Sequence, residues 1–229
     1  MWDSSRRGGA RKSMNLVLLG YPGSGKGTQA KLLSGRLSLL HVSTGDIFRE
    51  AIASGSALGG EVSRYMASGA LVPDELVLDV IKARLDKESG GILFDGFPRT
   101  VEQARALDAY FASRARRIDA VIFLDIDEES VVERLGARRT CPQCLKIYNL
   151  LTSPPEKEGV CGACGGRLVL REDDSPEVIR RRIGVYKAQT EPLSAYYRSA
   201  GNFFPVKGGS APEAVAGDIA AMLKNKIAA

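Results

Sequence analysis

Two rhythms of apolar residues alternate along the chain. Phe203 to Val206 reads as a last strand and His41-Val42-Ser43 as a short apolar-edged run, while Leu16 to Leu19, Gly91-Ile92-Leu93-Phe94 and Ala120 to Leu124 are short runs, apolar on both faces. Such runs predict strands buried on both sides of a parallel sheet. Between them apolar positions recur at helical spacing, as in Ala30, Leu32, Leu33 and Leu37, and in Val77, Val80, Ile81 and Leu85. Helix starts are signalled at Thr44-Gly45-Asp46, at Asp74, at the Thr100/Gln103 capping box (a helix through about Ser113), and at Asp127, whose helix is expected to run toward Arg138. Ser175-Pro176 predicts a long helix through about Arg198, and Ser210 with Glu213 predicts a capping box for the last one. Ser54-Gly55-Ser56 and Gly59-Gly60 are expected to break Ile47 to Met66 into short helical pieces, a segment that ends at Gly69 and leaves through Leu71-Val72-Pro73. The repeated strand-helix order predicts an α/β fold with a parallel sheet covered on both faces.

One stretch departs from that alternation. From about Arg139 to Leu170 the chain holds all four cysteines, Pro154-Pro155 and only short strand-like pieces, Ile147-Tyr148 and Leu168 to Leu170. It reads as a small inserted lobe. Residues 1–13, basic and small, read as a disordered extension without the apolar stretch of a signal peptide; a transit peptide is the lesser alternative. No apolar run reaches the roughly 18 residues of a membrane helix. The 229 residues suffice for one ordinary domain with insertions, and a net charge of +5 fits either an anionic small molecule or a nucleic acid.

The chemistry begins directly after the first strand. Gly20-Tyr21-Pro22-Gly23-Ser24-Gly25-Lys26-Gly27-Thr28 matches G-x-x-x-x-G-K between a strand and a helix. Glycines let backbone N–H groups turn toward a polyanion, the helix points its positive end at the same place, and Lys26 adds a point charge. The alternative, a glycine-rich surface turn, does not explain so full a match. The hydroxyl that normally follows the lysine is delayed by one residue, from Gly27 to Thr28.

The cysteines form two knuckles, Cys141-x-x-Cys144 and Cys161-x-x-Cys164, separated by residues 145–160. This spacing predicts a structural zinc site, four thiolates at about 2.3 Å with no open position. Two disulfides or a redox pair are the alternatives. His41, the sole histidine, excludes a two-histidine metal site and reads as structural. Arg49, Arg99, Arg134, Arg138, Arg171 and Arg182 all lie near element ends or lobe borders, with Arg134 and Arg138 expected on one helical face. That placement suits phosphoryl transfer, in which the protein supplies positioning and positive charge. Asp95, at the end of a buried strand, is placed to steady Mg²⁺ or its waters. Asp173 and Asp174 either pair with basic residues or sit exposed at a helix start.

These segments resemble the adenylate kinase family, in the form with a long zinc-bearing lid, from about Met14 onward. The resemblance is carried by GYPGSGKGTQA at 20–30, STGDIFR at 43–49, GALVPDE at 69–75, DGFPRT at 95–100 and REDDSPEVIRRR at 171–182. It implies a P-loop three-layer fold around a five-stranded parallel sheet, with an AMP-binding flap at 43–72 and a zinc-binding lid at 137–174, in a cytoplasmic monomer. By the same resemblance Gly23, Ser24, Gly25, Lys26, Gly27 and Thr28 wrap the ATP phosphates. Arg134 lies against the donor base, Arg138 with Ile147 and Tyr148 holds the donor under the lid, and Ser210 meets the donor base through its backbone. Thr44, Arg49, Ala70, Leu71, Val72, Gly96, Phe97, Pro98, Arg99 and Gln103 hold AMP, with Arg171 and Arg182 reaching the transferring phosphate and Asp95 contacting Mg²⁺ through water. Thr44 in S-T-G-D is the residue type that goes with AMP, and related pyrimidine nucleotide kinases carry alanine there. The implied reaction is ATP + AMP ⇌ 2 ADP, with Mg²⁺ on the nucleotide, structural Zn²⁺ and no membrane or nucleic-acid partner. A GTP:AMP phosphotransferase, or another nucleoside monophosphate kinase, is the near alternative. A zinc-ribbon nucleic-acid-binding ATPase is the remote one, disfavoured because Tyr148 is the only aromatic between Arg139 and Leu170.

Overall fold

The structure is a computed structural model and describes residues 14–227. Its centre is a parallel sheet of β1 (Asn15–Leu19), β2 (Leu40–Ser43), β3 (Ile92–Asp95), β4 (Ala120–Asp125) and β7 (Phe203–Lys207), in the order β2-β3-β1-β4-β7. The runs of β1, β3 and β4 are buried on both faces, as their patterning requires, whereas the edge strands β2 and β7 are only partly buried. Val17 and Leu19 of β1 join Phe94 and Val121 in one core, and Leu16 and Leu18 join Leu93 and Ile122 in the other. The first core is covered by α4 (Asp74–Leu85), α5 (Val101–Ala112) and α8 (Pro192–Ser199), the second by α1 (Lys26–Leu37) and α9 (Pro212–Ile227). Register sets Asp95 beside Leu18 on one side and Ser43 on the other, so the ends of three strands open on one crevice.

Two helices, α2 (Thr44–Ala53) and α3 (Ala57–Ser68), follow β2. Ser43 caps α2 by accepting from Asp46 N–H. Gly59-Gly60 does not break the segment as expected: both residues lie inside α3, and only Ser54 to Ser56 separates the helices. Gly59 is there for close approach, because a Cβ would lie 2.1 Å from the Ala51 carbonyl oxygen. Asp74 is the first helical residue of α4 and Pro73 its cap; the Asp74 carboxylate instead accepts from Thr100 Oγ1 and Gln103 Nε2, both at 2.7 Å.

The helix that Asp127 caps, α6 (Glu128–Gly136), stops short of Arg138. Arg138 begins β5 (Arg138–Thr140), which pairs antiparallel with β6 (Ile147–Asn149) in the inserted lobe, so Arg134 and Arg138 do not share a helical face. The lobe's buried cluster is only Cys141, Tyr148, Cys161 and Leu168, far too little apolar surface to order thirty residues without a cross-link or metal. A 3₁₀ turn (Glu172–Asp174) leads from it into α7 (Pro176–Val185), capped by Ser175 as expected. The long helix expected through Arg198 is interrupted by a π-helical turn at Tyr186–Thr190 before α8. The Ser210/Glu213 box does not form: Pro212 starts α9 and Glu213 pairs with Arg36 of α1.

Candidate active site

The phosphate loop runs from Gly20 to the start of α1, where Gly25, at φ 98°, serves as N-cap with no side-chain capping bond. The helix's first N–H groups are therefore left for a ligand. A Cβ at residue 27 would lie 3.3 Å from Asp95 Oδ2, and any larger side chain would crowd the carboxylate further. This close approach is a physical reason for the delayed hydroxyl of Thr28. Lys26 Nζ donates to the carbonyls of Gly20 (2.8 Å) and Tyr21 (2.7 Å). Burial, with Arg99, Arg182 and Arg138 close by, lowers its pKa to about 7, against the opposing pull of Asp95. Ser24 Oγ is buried without a hydrogen-bond partner among the described residues.

The loop forms the floor of a cavity of about 840 Å³ between α2 and α3, the inserted lobe and the sheet. Nine cationic side chains line it, Lys26, Lys31, Arg49, Arg99, Arg134, Arg138, Lys146, Arg171 and Arg182, against three acidic ones, Asp46, Asp95 and Asp173. This surplus exceeds the +5 of the whole chain, so the cavity is built for a polyanion. The charges sense one another. Burial and the neighbouring Arg182 push the Arg99 pKa down to about 10, and burial with Arg138 and Arg49 brings Arg171 to about 9.

Each arginine is held by a specific partner. Arg49 pairs with Asp46 (2.5 Å), and Arg99 donates from Nε to the Gly96 carbonyl (2.8 Å) and from its backbone N–H to Gln103 Oε1 (2.8 Å). Arg134 reaches the carbonyls of Gly208 and Gly209, and Arg171 Nε donates to Thr140 Oγ1 (2.8 Å). Asp174, its side chain fully buried, accepts two hydrogen bonds from Arg138 (2.5 and 2.6 Å) and one from Arg182 (3.0 Å), and Asp173 pairs with Arg182 at 2.9 Å. Burial would raise the Asp173 pKa, but Arg182, Arg138 and Arg171 together hold it below the usual carboxylate value. The two aspartates are thus internal counter-ions, not exposed helix-start residues.

Of the residues singled out in the sequence, Gly23 to Thr28, Arg49, Ala70, Leu71, Asp95, Gly96, Pro98, Arg99, Arg134, Arg138, Ile147, Tyr148, Arg171, Arg182 and Ser210 all line this cavity. Thr44, Val72 and Gln103 line a small pocket beside it that shares Ala70, Leu71, Gly96 and Arg99. Thr44 Oγ1 donates to the Gly96 carbonyl (2.9 Å), tying the start of α2 to the end of β3. The Gln103 amide gives one N–H to Asp74 and accepts the Arg99 N–H, which leaves one N–H and one lone pair. Phe97 lines neither space: it is fully buried in the core against Phe94. His41 lies behind Asp95, its Nε2 3.6 Å from Oδ2, too long for a hydrogen bond.

Sequence reasoning passed over Lys31, Lys146 and Thr190 as cavity residues. Lys146 stands two residues from Tyr148, the spacing of one strand face, which is the signal that could have found it.

In the inserted lobe, the four cysteine Sγ atoms lie within 4.8 Å of one another, with Cys141–Cys164 at 3.4 Å and Cys144–Cys161 at 3.5 Å. Neither separation is that of a disulfide, and four convergent thiols fit tetrahedral zinc. Tyr148 Oη, 3.5 Å from Cys161 Sγ, accepts the Gly162 N–H at 2.8 Å, bracing the second knuckle.

A family model described as Adenylate kinase matches residues 18–202. Among similar proteins, the adenylate kinase of Thermosipho africanus is 50% identical over 85% of this chain and 92% of its own length. That of Archaeoglobus fulgidus is 48% identical over 92% and 98%, and that of Syntrophomonas wolfei subsp. wolfei 44% over 93% and 100%. Among the described residues no helix is long and apolar enough to cross a membrane.

Proposed function

The chain belongs to the adenylate kinase family, phosphotransferases that move the terminal phosphoryl group of MgATP to AMP and return two ADP, and we propose how its cavity divides that work. The phosphate loop and Lys26 grip the donor phosphates, and Arg138 covers them from the lid. Arg134 and the Gly208–Ser210 backbone face the donor base. Arg49 and Arg99 take the AMP phosphate, while Thr44, Ala70 to Val72 and the remaining Gln103 amide groups read its base. Arg171 and Arg182 stand between the two halves. The observation that carries this reading is the meeting of Lys26 with Arg49, Arg99, Arg138 and Arg182 in one cavity, where burial and the neighbouring guanidinium groups lower the pKa values of Lys26, Arg99 and Arg182.

The attacking group is a phosphate oxygen of AMP, already ionised at neutral pH, so no side chain needs to act as a strong base. The protein's task is to align the two phosphates in line and to stabilise the charge that develops on the transferring group. Mg²⁺ arrives with the nucleotide and neutralises phosphate charge; Asp95, at the end of β3 over the Gly27 gap, is the carboxylate that would hold its waters. Flap and lid exclude the water that would otherwise capture the phosphoryl group.

Zn²⁺ in the four-cysteine site would staple the lid and take no part in the chemistry. A reducing compartment, the cytoplasm, would keep those thiols available to it. We take the protein as a monomer that binds no nucleic acid; in support, Tyr148, the only aromatic residue between Arg139 and Leu170, faces the nucleotide cavity and leaves the inserted lobe without a row of stacking aromatics.

The test is substitution of the arginines nearest the transfer. Arg99→Ala and Arg182→Ala are each expected to lower kcat by about 10²–10³-fold, the loss typical of removing one charge-stabilising group, with the fold intact by circular dichroism. Near-normal turnover in both variants would refute the assignment.

A further inference from the structure

The chain after Arg182 does not continue as one α-helix. The turn at Tyr186–Thr190 is π-helical, closed by a hydrogen bond from Glu191 N–H to the Tyr186 carbonyl (2.9 Å), and α8 starts at Pro192. Proline has no N–H, and its ring clashes with the carbonyl four residues back; a wide turn absorbs that misfit, and such turns are frequent at functional sites. This one aims two side chains at the active site. Tyr186 packs on Tyr21 of the phosphate loop, ring centroids 4.3 Å apart. Thr190, buried and on the cavity wall, donates from Oγ1 to the carbonyl of Arg99 at 2.9 Å. A helical threonine commonly bonds a carbonyl three or four residues behind it, whereas Thr190 spends its hydroxyl on a loop far away in sequence.

The receiving residue is otherwise fixed at two points, its N–H on Gln103 and its Nε on the Gly96 carbonyl. Thr190 supplies the third. With all three in place the terminal guanidinium nitrogens of Arg99 are the part left for the cavity. We infer that Thr190 is a positioning residue for phosphoryl transfer: its hydroxyl, set by the π-helical turn, locks the Arg99 backbone so that the guanidinium stays aimed at the transferring group. The inference rests on the phosphotransferase reading above. Without the hydroxyl, the Arg99 carbonyl loses its donor and the loop from Gly96 to Thr100 can relax, and small misplacements of a catalytic group are costly.

The experiment uses the full chain with Thr190→Val, Thr190→Ala, Thr190→Ser, Arg99→Ala and the Thr190→Val/Arg99→Ala double variant, comparing kcat, both KM values and melting temperature. Val and Ala each remove the hydroxyl, at different cost to packing, so one misfolded variant leaves the other to decide. The expected result is a kcat about tenfold lower in Val and Ala, within the range for a misplaced group, with the KM for ATP unchanged and Ser close to wild type. In the Arg99→Ala background, Thr190→Val is expected to add no further loss, which a merely structural role would not produce. Unchanged kcat with a lower melting temperature, an equal loss in both backgrounds, or failure of Ser to restore turnover would each overturn the inference. If the unsubstituted chain transferred no phosphoryl group to AMP, the underlying reading would fail instead.

Discussion

Asp174 holds two arginines from one buried carboxylate, and its replacement is the most informative single perturbation outside the reaction itself. The side chain is fully buried, while Arg138 and Arg182 are 15% and 18% exposed. Asp174→Ala leaves both guanidinium groups without their shared counter-ion. Removing one partner of a buried pair typically costs about 3–5 kcal/mol. Because both arginines border a cavity that water and anions can enter, the lower end, about 3 kcal/mol, is the expected value. For a domain of this size each kcal/mol moves the melting temperature by about 2–4 °C, so the drop should be about 6–12 °C. Calorimetry without nucleotide measures it directly. Two further readings belong to the same experiment. Inorganic phosphate should recover more stability in the variant than in the parent chain, since it binds the freed arginines only in the folded state. Arg138→Ala combined with Asp174→Ala should cost less than the sum of the single changes, because removing both ends leaves less charge unpaired. A drop of under about 2 °C, below what even a single kcal/mol gives, or strict additivity would refute the counter-ion argument.

Lys26 gives a pH prediction. Its folded pKa of about 7 lies below the usual 10.5, so between those values the unfolded chain holds a proton that the folded chain has released, and the stability contribution of this residue rises with pH across that window. Phosphate beside Lys26 favours the charged form, so ATP binding at pH 8 should take up protons; titration calorimetry in buffers of different ionisation enthalpy would detect it, and no buffer dependence would contradict the burial argument. The proposed structural zinc predicts that a chelator lowers the melting temperature more than it lowers turnover at moderate temperature, whereas immediate loss of turnover with melting unchanged would place a metal in the chemistry.

What could be read from the sequence depended on how local the cause was. β1, β3 and β4 stand out because burial on both faces leaves an unbroken apolar run, and the phosphate loop and cysteine knuckles because their chemistry fixes spacing. The end of α6 was hidden because β5 and β6 are three-residue strands, too short to show alternation. Gly59 looked like a break because composition cannot reveal that another helix's carbonyl lies against it. The roles of Asp173, Asp174 and Thr190 depend on partners elsewhere in the fold: Arg138 is 36 residues from Asp174 and Arg99 is 91 from Thr190. The candidate residues nonetheless gathered almost completely, with Phe97 the clear exception, since an apolar residue inside a binding motif can serve the core instead.

The central claim is that this cavity transfers a phosphoryl group between two nucleotides. Incubation with ATP labelled on its terminal phosphate, Mg²⁺ and AMP, followed by separation of the products, tests it most directly. The label should appear in ADP, only when AMP is present, with little free phosphate. Label released as phosphate at a rate indifferent to AMP, or stimulated by single-stranded DNA, would contradict it.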